Sequence, residues 1–420
     1  MNVTLTPSAT GGSIKAIASK SAAHRIAICA AFAKGNTKIL CEETNEDIDA
    51  TVRCLSALGA DIKREGEYFY VTPVRELKKG AILDCGESGS TMRFLVPVVA
   101  MLGADASFLM SGRLPARPLS PLREELERCG MSFSEAGSNP LICRGKVEEN
   151  EFFIRGDVSS QFVSGLLFAL AVSGRSGRLH IIGELMSAPY VDITADTLRR
   201  FGAEVFRSED GYEINAEGGL ISPSEITVEG DWSNAAFPLT LGAIGKGAVT
   251  VTCLDKGSCQ GDMAILNVLS EMGAKLEWND GAVTVYPSKL KGIRIDASQI
   301  PDLVPILSVA ASVAEGETVI YNAERLRIKE SDRLLAVREV LCGLGAQVEE
   351  RADGLRIVGV PSLRGGEICS FRDHRIAMSA AVASVRCAEA VTVKDAEAVA
   401  KSYPSFFEDM GVLGLKYTKD

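Results

Sequence analysis

Basic side chains recur in this sequence at the places where helices are expected to begin. A helix N-terminus already carries about half a positive charge, so a Lys or Arg there is disfavoured by a few tenths to about 1 kcal/mol. Repeated at several helices, that cost indicates bound anions, because helix N-termini with added Lys and Arg hold phosphate and carboxylate groups well. The basic residues concerned are Lys20, Arg117, Lys329, Arg333, Arg375 and Lys401.

Two carboxylates and several hydroxyls accompany these basic residues. Asp302 follows Pro301 at a predicted helix start, and Glu330 is flanked in sequence by Lys329 and Arg333. Two carboxylates in different environments can divide the roles of acid and base. The set therefore predicts recognition of phosphate and carboxylate groups together with acid–base chemistry.

A structural interpretation of the same residues remains open from the sequence alone. Ser, Asp and Asn at helix starts commonly serve only as N-caps. The basic residues could then be partners in ion pairs rather than ligands for an anion. The acidic residues available for such pairs are Glu87, Asp302, Glu330 and Asp332.

Several other chemistries lack their sequence signatures. There is no G-x-x-x-x-G-K-[ST] loop for nucleotide hydrolysis, and neither a G-x-S-x-G elbow nor an HExxH motif is present. Only three histidines occur, at His24, His180 and His374, and the eleven cysteines include no CxxC pair. We therefore expect no metal site and reduced thiols.

Charge and hydropathy patterning bear on location and partners. The net charge of −10 argues against a general nucleic-acid or membrane binder. No apolar run reaches the roughly 18 residues needed to cross a bilayer, and the first residues lack the basic and apolar regions of a secretion signal. These features predict a cytoplasmic protein that binds neither nucleic acid nor membranes.

The elements that position the candidate residues repeat with a period of about 70 residues. In residues 22–73 the pattern predicts a helix over 22–33, a strand over 36–40, a second helix from Asn45 to a terminal glycine, and a hairpin over 60–63 and 68–72. With a first strand directly before the helix, the unit is βαβαββ, and six copies fit the chain. The glycines expected in equivalent positions are Gly59, Gly130, Gly202, Gly273, Gly345 and Gly411.

Nine motifs in order along the whole chain resemble the 5-enolpyruvylshikimate-3-phosphate synthase family. They are GSIKAIASKSAAHRIAICAA, GESGSTMR, RLPARP, GDVSSQF, SAPYVDIT, IPD, RIKESDRL, DHRIAM and AKSYPSFF. The resemblance implies an α/β fold of two globular domains, each with three βαβαββ modules about a pseudo-threefold axis, which is the inside-out α/β barrel of enolpyruvyl transferases. It implies domain one over 1–17 and 229–420 and domain two over 18–228.

The resemblance also implies a reaction. The enolpyruvyl (1-carboxyvinyl) group of phosphoenolpyruvate is transferred to the 5-hydroxyl of shikimate 3-phosphate by addition and elimination, with release of phosphate. This is a step of the shikimate pathway towards aromatic amino acids. It implies no cofactor and no metal, a monomer, and two small-molecule substrates as the partners.

The family's functional residues carry over by motif. Those implied to bind shikimate 3-phosphate are Lys20, Ser21, Arg25, Ser159, Ser160, Gln161, Ser187, Tyr190, Asp302 and Lys329. Those implied to bind phosphoenolpyruvate are Lys20, Gly89, Arg117, Gln161, Arg333, Arg375 and Lys401, and the implied catalytic residues are Asp302, Glu330 and Lys20.

Two departures from the family pattern concern the loop around Gly89. Glu87 replaces the usual Asn, and Phe94 follows Arg93 where many members have Pro.

Two other functions are carried as alternatives. The sibling family acting on UDP-N-acetylglucosamine normally has Lys-Asn where this chain has Lys20-Ser21, and a loop cysteine that is missing here. A non-catalytic phosphometabolite-binding scaffold would not need the two carboxylates.

Overall fold

The structure is a computed structural model that describes residues 1–420, and the chain divides into two compact units. Unit 1 comprises Met1–Ile17 and Glu229–Asp420, and unit 2 comprises Ala18–Val228. None of the helices combines the length and apolar character that a membrane span requires.

The first 228 residues contain fourteen strands and six α-helices. The strands are β1 (Val3–Thr6), β2 (Gly12–Lys15), β3 (Thr37–Leu40), β4 (Asp61–Glu65), β5 (Tyr68–Thr72), β6 (Ala81–Asp84), β7 (Ala106–Leu109), β8 (Ser132–Phe133), β9 (Leu141–Arg144), β10 (Glu151–Arg155), β11 (Gly177–Ile182), β12 (Glu204–Arg207), β13 (Gly211–Asn215) and β14 (Glu225–Thr227). The helices are α1 (Lys20–Phe32), α2 (Glu46–Leu58), α3 (Gly89–Leu102), α4 (Leu122–Arg128), α5 (Ser160–Val172) and α6 (Ala188–Arg200).

The remaining residues contain ten strands and six α-helices. The strands are β15 (Val249–Thr252), β16 (Lys275–Asn279), β17 (Ala282–Tyr286), β18 (Arg294–Asp296), β19 (Glu317–Tyr321), β20 (Gln347–Arg351), β21 (Gly354–Val358), β22 (Gly366–Cys369), β23 (Val391–Lys394) and β24 (Lys416–Lys419). The helices are α7 (Trp232–Ile244), α8 (Ile265–Glu271), α9 (Val304–Ser312), α10 (Arg333–Gly343), α11 (His374–Ala383) and α12 (Phe406–Val412).

The strands form six four-stranded sheets of one design, three in each unit. In every sheet one edge is a parallel pair, and the other two strands are antiparallel to their neighbours. β6-β7-β9-β8 is an example, with β6 and β7 parallel and β9 antiparallel to both β7 and β8. A parallel pair needs a helical crossover and an antiparallel pair only a short turn, so this pattern is the βαβαββ unit. The predicted α/β class is confirmed.

Three sheets are completed by strands that lie far away in sequence. β2 directly precedes α1 but pairs with β15, with Gly12 opposite Val249. The sheet that contains β3 gains β14 instead, with Ile226 opposite Ile39, and β1 lies between β23 and β24. The expectation that the strand directly before the helix completes the 22–73 module is therefore wrong, because β14 takes that place in the sheet. The chain passes from unit 1 to unit 2 after β2, so the preceding strand stays in unit 1.

The prediction is also wrong for one of the six glycines expected in equivalent positions. Gly411 lies inside α12, and Gly414 has the left-handed backbone, with φ of 96°. The helix has to continue because the apolar spacing brings Leu413 into the core, where it is fully buried. The five glycines that do have a left-handed backbone where the phrase predicts it are Gly59, Gly130, Gly202, Gly273 and Gly345.

The first helix of each module lies in the interior of its unit. In unit 2, α3 packs against α5, and in unit 1, α7, α9 and α11 pack against one another. All residues of α7 except Ser233 are buried, and a helix that is apolar all round belongs in a core. Such a helix is held firmly, so side chains at its N-terminus are well positioned.

Candidate active site

A single buried guanidinium organises the polar residues of unit 1. Arg333 is only 1 % exposed and begins α10. Its Nε donates to Asp373 Oδ2 at 2.8 Å, its Nη1 to Asp302 Oδ1 at 2.9 Å, and its Nη2 to Glu330 Oε2 at 2.8 Å. The two carboxylates predicted to be catalytic are thus brought together on one arginine.

Helix starts from two modules hold these groups in place. Asp302 lies in a 3-10 turn, Pro301–Leu303, that leads into α9. Asp373 is the N-cap of α11 and accepts a hydrogen bond from the N–H of Arg375 at 3.0 Å. Asp302 and Asp373 are thus each held at the start of a buried helix, which positions their carboxylates against Arg333.

Asp302 contacts two further cations. Arg375 Nη2 donates to Asp302 Oδ2 at 2.9 Å, and Lys329 Nζ lies 3.8 Å from Oδ1. Burial alone would raise the pKa of Asp302, but Arg375, Lys329 and Arg333 outweigh it and hold the pKa well below its usual range. Asp302 is therefore ionised at neutral pH.

The ion-pair interpretation of these residues is correct for part of the set. Asp302 and Glu330 do pair with arginines. Asp332 does not join them, because it pairs with Arg327 at 3.1 Å and caps α10. An anionic ligand in unit 1 would therefore share its arginines with carboxylates that are already in place.

Lys401 belongs to the same unit. It is the last residue of a 3-10 turn, Ala396–Lys401, and is 4 % exposed. That turn packs against α11, the helix that begins with His374 and Arg375. Two predicted phosphoenolpyruvate-binding residues, Arg375 and Lys401, thus lie on neighbouring elements.

In unit 2, two guanidiniums approach the first residue of α3. A Cβ added to Gly89 would lie 2.8 Å from Arg93 Nη1 and 2.9 Å from Arg117 Nη1. The amide of Gln161 joins this group, since its Oε1 accepts from Arg93 Nη1 at 2.9 Å and its Nε2 donates to Ser90 Oγ at 2.8 Å. A helix N-terminus with two arginines is suited to a phosphate or carboxylate.

Lys20 begins α1 and pairs with a carboxylate that is not among the residues predicted for the site. Its Nζ lies 2.9 Å from Asp47 Oδ2, in the first turn of α2. Both side chains are largely buried. The pair fixes the direction of the Lys20 side chain, which is what a lysine assigned to a phosphate requires.

Arg25 is a buried cation whose partners are all neutral. Its Nε donates to Thr194 Oγ1 at 2.7 Å, its Nη1 to the carbonyl of Ser21 at 2.6 Å, and its Nη2 to the carbonyl of Tyr190 at 2.8 Å. Burial lowers the pKa of Arg25 to about 9. A buried charge without an opposite charge is costly, and a bound anion would offset that cost.

The remaining predicted residues lie at the starts of α5 and α6. Ser159 caps α5 and accepts from the N–H of Gln161 at 3.3 Å, and Ser160 is the first residue of that helix. Ser187 precedes α6 with a left-handed backbone, φ 57°. Left-handed backbone at a residue other than glycine is often found at functional sites.

Glu87, the unexpected acidic residue, packs on a glycine. Its carboxylate occupies the space that a Cβ on Gly112 would fill. Gly112 begins the segment that leads to Arg117. The side chain of Glu87 therefore fits this loop because position 112 has no side chain.

Sequence reasoning missed three contributors: Arg93, Asp47 and Asp373. A signal existed for Arg93, which lies four residues after Gly89 and hence on the same helix face. Asp47 and Asp373 had the ordinary signature of acidic residues at helix starts. Only their contacts with Lys20 and Arg333 distinguish them from simple caps.

Comparison with known proteins shows the family to which the chain is similar. The family model described as EPSP synthase (3-phosphoshikimate 1-carboxyvinyltransferase) matches residues 5–410. A 3-phosphoshikimate 1-carboxyvinyltransferase of Clostridium kluyveri is 42% identical over 414 residues, covering 98% of this chain and 97% of that protein. One from Clostridium perfringens is 42% identical over 417 residues, covering 98% of each.

The fold agrees as well. The structure of an EPSP synthase from Acinetobacter baumannii superposes with a TM-score of 0.82 at 26% identity, covering 100% of both chains. The family model spans nearly the whole chain, and the relatives match it over nearly their full length. The chain therefore belongs to the EPSP synthase family, the 3-phosphoshikimate 1-carboxyvinyltransferases.

Proposed function

We propose that this protein transfers the enolpyruvyl group of phosphoenolpyruvate to the 5-hydroxyl of shikimate 3-phosphate, giving 5-enolpyruvylshikimate 3-phosphate and phosphate. The observation that carries the proposal is the arrangement around Arg333, where Asp302 and Glu330 are held 2.9 Å and 2.8 Å from one guanidinium. Acid–base groups within a cluster of cations suit a reaction between two anionic substrates.

Shikimate 3-phosphate is assigned chiefly to unit 2. The uncompensated charge of Arg25 supports its role as a partner of the substrate phosphate. Hydroxyls and backbone N–H groups at the starts of α5 and α6 would complete the site. The further residues assigned to this substrate are Lys20, Ser21, Ser159, Ser160, Gln161, Ser187, Tyr190, Asp302 and Lys329.

Phosphoenolpyruvate carries a phosphate and a carboxylate, so it needs several cations. Around Gly89 the closely placed Arg117 and the absence of a side chain allow an anion to approach the backbone. Arginines can bind either anionic group through two hydrogen bonds. The residues assigned to this substrate are Lys20, Gly89, Arg117, Gln161, Arg333, Arg375 and Lys401.

The proposed chemistry has two steps that balance. In the addition, the 5-oxygen attacks C2 of phosphoenolpyruvate, Asp302 accepts the hydroxyl proton, and Glu330 delivers a proton to the methylene carbon. In the elimination, Glu330 takes a proton back from that carbon, the double bond re-forms, and the C2–OPO₃ bond breaks, with Lys20 stabilising the departing phosphate. Asp302 then releases its proton to solvent.

Substrate binding would strengthen Asp302 as a base. Without an anion, Arg375, Lys329 and Arg333 lower the pKa of Asp302. An anion that takes hydrogen bonds from Arg333 and Arg375 compensates part of their charge. The pKa of Asp302 then rises towards its ordinary value, so the carboxylate accepts a proton more readily once the substrate is bound.

Every role in this proposal belongs to a residue of the chain, so the proposal includes no metal ion and no cofactor. The protein is proposed to work as a cytoplasmic monomer, without nucleic-acid or membrane partners. The two substrates are then the only ligands that the reaction needs.

A phosphate-release assay separates this function from its alternatives. Release is expected only when phosphoenolpyruvate and shikimate 3-phosphate are both present. Release with UDP-N-acetylglucosamine in place of shikimate 3-phosphate would instead support the sibling function. Saturable binding of shikimate 3-phosphate without any phosphate release would identify a non-catalytic scaffold.

A further inference from the structure

A chain of buried hydrogen bonds joins the beginnings of α1, α2 and α3. His24 Nδ1 lies 2.6 Å from Thr51 Oγ1, and Thr51 Oγ1 lies 2.6 Å from Thr91 Oγ1. Thr91 Oγ1 then donates to Ser88 Oγ at 2.7 Å. All four side chains are buried, and none of them is among the residues assigned to either substrate. We refer to these four residues as the His24 chain.

The hydrogen bonds of the His24 chain all run in one direction, with His24 as the first donor and Ser88 as the last acceptor. Each threonine hydroxyl has one proton, and the proton of Thr91 goes to Ser88. Thr91 must therefore accept from Thr51, and Thr51 in turn must accept from His24. His24 is thus protonated on Nδ1, and its Nε2 is a buried acceptor without a partner.

Burial keeps this histidine neutral. Desolvation lowers the pKa of His24 to about 3, and the opposing charge of Asp47 does not compensate. A neutral ring with a fixed tautomer cannot act as a proton switch at ordinary pH. A buried hydrogen-bond series of this kind fixes geometry, because only one arrangement of its members keeps all three hydrogen bonds.

The His24 chain connects two predicted anion-binding groups. Lys20 and His24 lie one turn apart on α1, and they face Asp47 and Thr51, which lie one turn apart on α2. From Thr51 the connection runs through Thr91 to Ser88, the N-cap of α3. The next residue is Gly89, whose N–H begins that helix. The N-terminus of α3 is therefore tied to the segment that holds Lys20.

We infer that His24, Thr51 and Thr91 are positioning residues that set the affinity for phosphoenolpyruvate by fixing the N-terminus of α3 relative to Lys20. The inference rests on the proposed function, because it assigns that N-terminus to phosphoenolpyruvate. Hydrogen bonds weaken steeply with distance and angle, so a small shift of α3 would weaken several contacts with one anion. The hydrogen bonds of Arg25 do not pass through the His24 chain.

The test compares variants that break the His24 chain with variants that keep it. Thr91→Val and Thr51→Val remove a hydroxyl at nearly constant shape on two different helices. Each should raise KM for phosphoenolpyruvate about 10-fold, which is the effect of losing one buried hydrogen bond. KM for shikimate 3-phosphate and kcat should change by no more than about 2-fold, less than the effect of one hydrogen bond. Thr91→Ser keeps the hydroxyl and should restore the wild-type KM.

A matched control exists in the other unit. Thr240 is fully buried in α7, and its hydroxyl has no hydrogen-bond partner. Thr240→Val therefore makes the same substitution without breaking a hydrogen bond, and both KM values should stay unchanged. Equal KM values for phosphoenolpyruvate in wild type, Thr51→Val and Thr91→Val would overturn the inference. So would equal increases in both KM values.

A second readout does not depend on activity. The protein has three histidines, so ring ¹⁵N spectra are assignable with His24→Gln. His24 should be the Nδ1–H tautomer in wild type, and Thr51→Val should remove that preference. An Nε2–H ring in wild type would contradict the His24 chain. An inactive wild type with an Nδ1–H ring would reject the proposed function, and with it the link to phosphoenolpyruvate, while leaving the hydrogen bonds supported.

Discussion

Asp302 and Glu330 share one guanidinium, that of Arg333, which reaches Asp302 through Nη1 and Glu330 through Nη2. Their surroundings nevertheless differ, because Asp302 also meets Arg375 and Lys329. Those cations keep the Asp302 carboxylate ionised. Asp302 is therefore suited to accept a proton, and Glu330 is the candidate to deliver one to carbon.

The two carboxylates are expected to matter for kcat. Asp302→Ala and Glu330→Gln should each lower kcat on the order of 10²-fold or more, the usual scale for positioned proton transfer. Glu330→Gln should still bind shikimate 3-phosphate, which isothermal titration can measure. Asp332→Asn is the matched control, because Asn still caps α10 and Asp332 contacts Arg327 instead. Near-normal kcat in both variants would contradict the acid–base assignment and would show that the two carboxylates act only as ion-pair partners.

Gly89→Ala is expected to act on phosphoenolpyruvate. The added methyl would lie 2.8 Å and 2.9 Å from the guanidiniums of Arg93 and Arg117, so both side chains would have to move. KM for phosphoenolpyruvate should rise, with KM for shikimate 3-phosphate little changed. Gly343→Ala, in helix α10, is the control, because its methyl would meet only Ile368 at 3.7 Å.

Inhibition by glyphosate extends this prediction. Glyphosate is a phosphonate that the family resemblance places in the phosphoenolpyruvate site, and it should compete with that substrate. Gly89→Ala should weaken inhibition more than it raises KM. Steady-state kinetics at several inhibitor concentrations will decide, and a wild-type enzyme indifferent to millimolar glyphosate would count against the assignment of Gly89.

Arg25 should govern binding of shikimate 3-phosphate. Because no carboxylate neutralises it, Arg25→Gln should remove a charge that only the substrate phosphate offsets. KM for shikimate 3-phosphate should rise about 10- to 100-fold, the range for one charge-assisted hydrogen bond. Arg199→Gln is the control on α6, since Arg199 donates to the carbonyl of Val205. An unchanged KM in Arg25→Gln would remove Arg25 from the site.

The buried His24 should make stability depend on pH in a defined window. The pKa of His24 falls from 6.5 in the unfolded chain to about 3 in the fold. The unfolded state therefore binds an extra proton between these values, so stability is full above about pH 6.5 and falls as the pH drops towards 3. His24→Gln should reduce the slope of unfolding free energy against pH by about 1.4 kcal/mol per pH unit.

Urea unfolding between about pH 4.5 and 6 measures that slope. His180→Gln is the control, because Asp210 and Glu151 raise the pKa of His180. A raised pKa gives stability that is complete below the unfolded value and is lost as the pH rises through the folded value, so this control should leave the slope in the acid window unchanged. An equal slope in wild type and His24→Gln would show that His24 is not buried in its neutral form.

Much of the fold follows from the sequence because its signals are local. Each helix-ending glycine is recognised from a short stretch of sequence, and the recurrence of these stretches about every 70 residues predicts the repeated unit. The exchange of β2 and β14 could not be found this way, because neither strand encodes which edge it will join. The phrase FEDMGVLG does not distinguish Gly411 from Gly414, because both glycines follow apolar or flexible side chains, and only the burial of Leu413 in the core separates them.

The site residues likewise divide into those that the local sequence predicts and those whose roles depend on distant contacts. The basic residues stand out because their charge opposes the helix dipole. The roles of Asp47 and Asp373 depend on which distant cation each one meets, which the local sequence does not contain. The His24 chain is hidden for the same reason, since Thr51 and Thr91 are ordinary helix residues until the two helices pack.

Reaction in D₂O, followed by ³¹P and ¹H NMR, tests the central claim most directly. The account predicts that the phosphoenolpyruvate phosphorus signal is replaced by inorganic phosphate while the phosphate of shikimate 3-phosphate is retained. Protonation of the methylene carbon from solvent should place deuterium in the vinyl group of the product. Phosphate derived from shikimate 3-phosphate, or a vinyl group without deuterium, would contradict addition and elimination at this site.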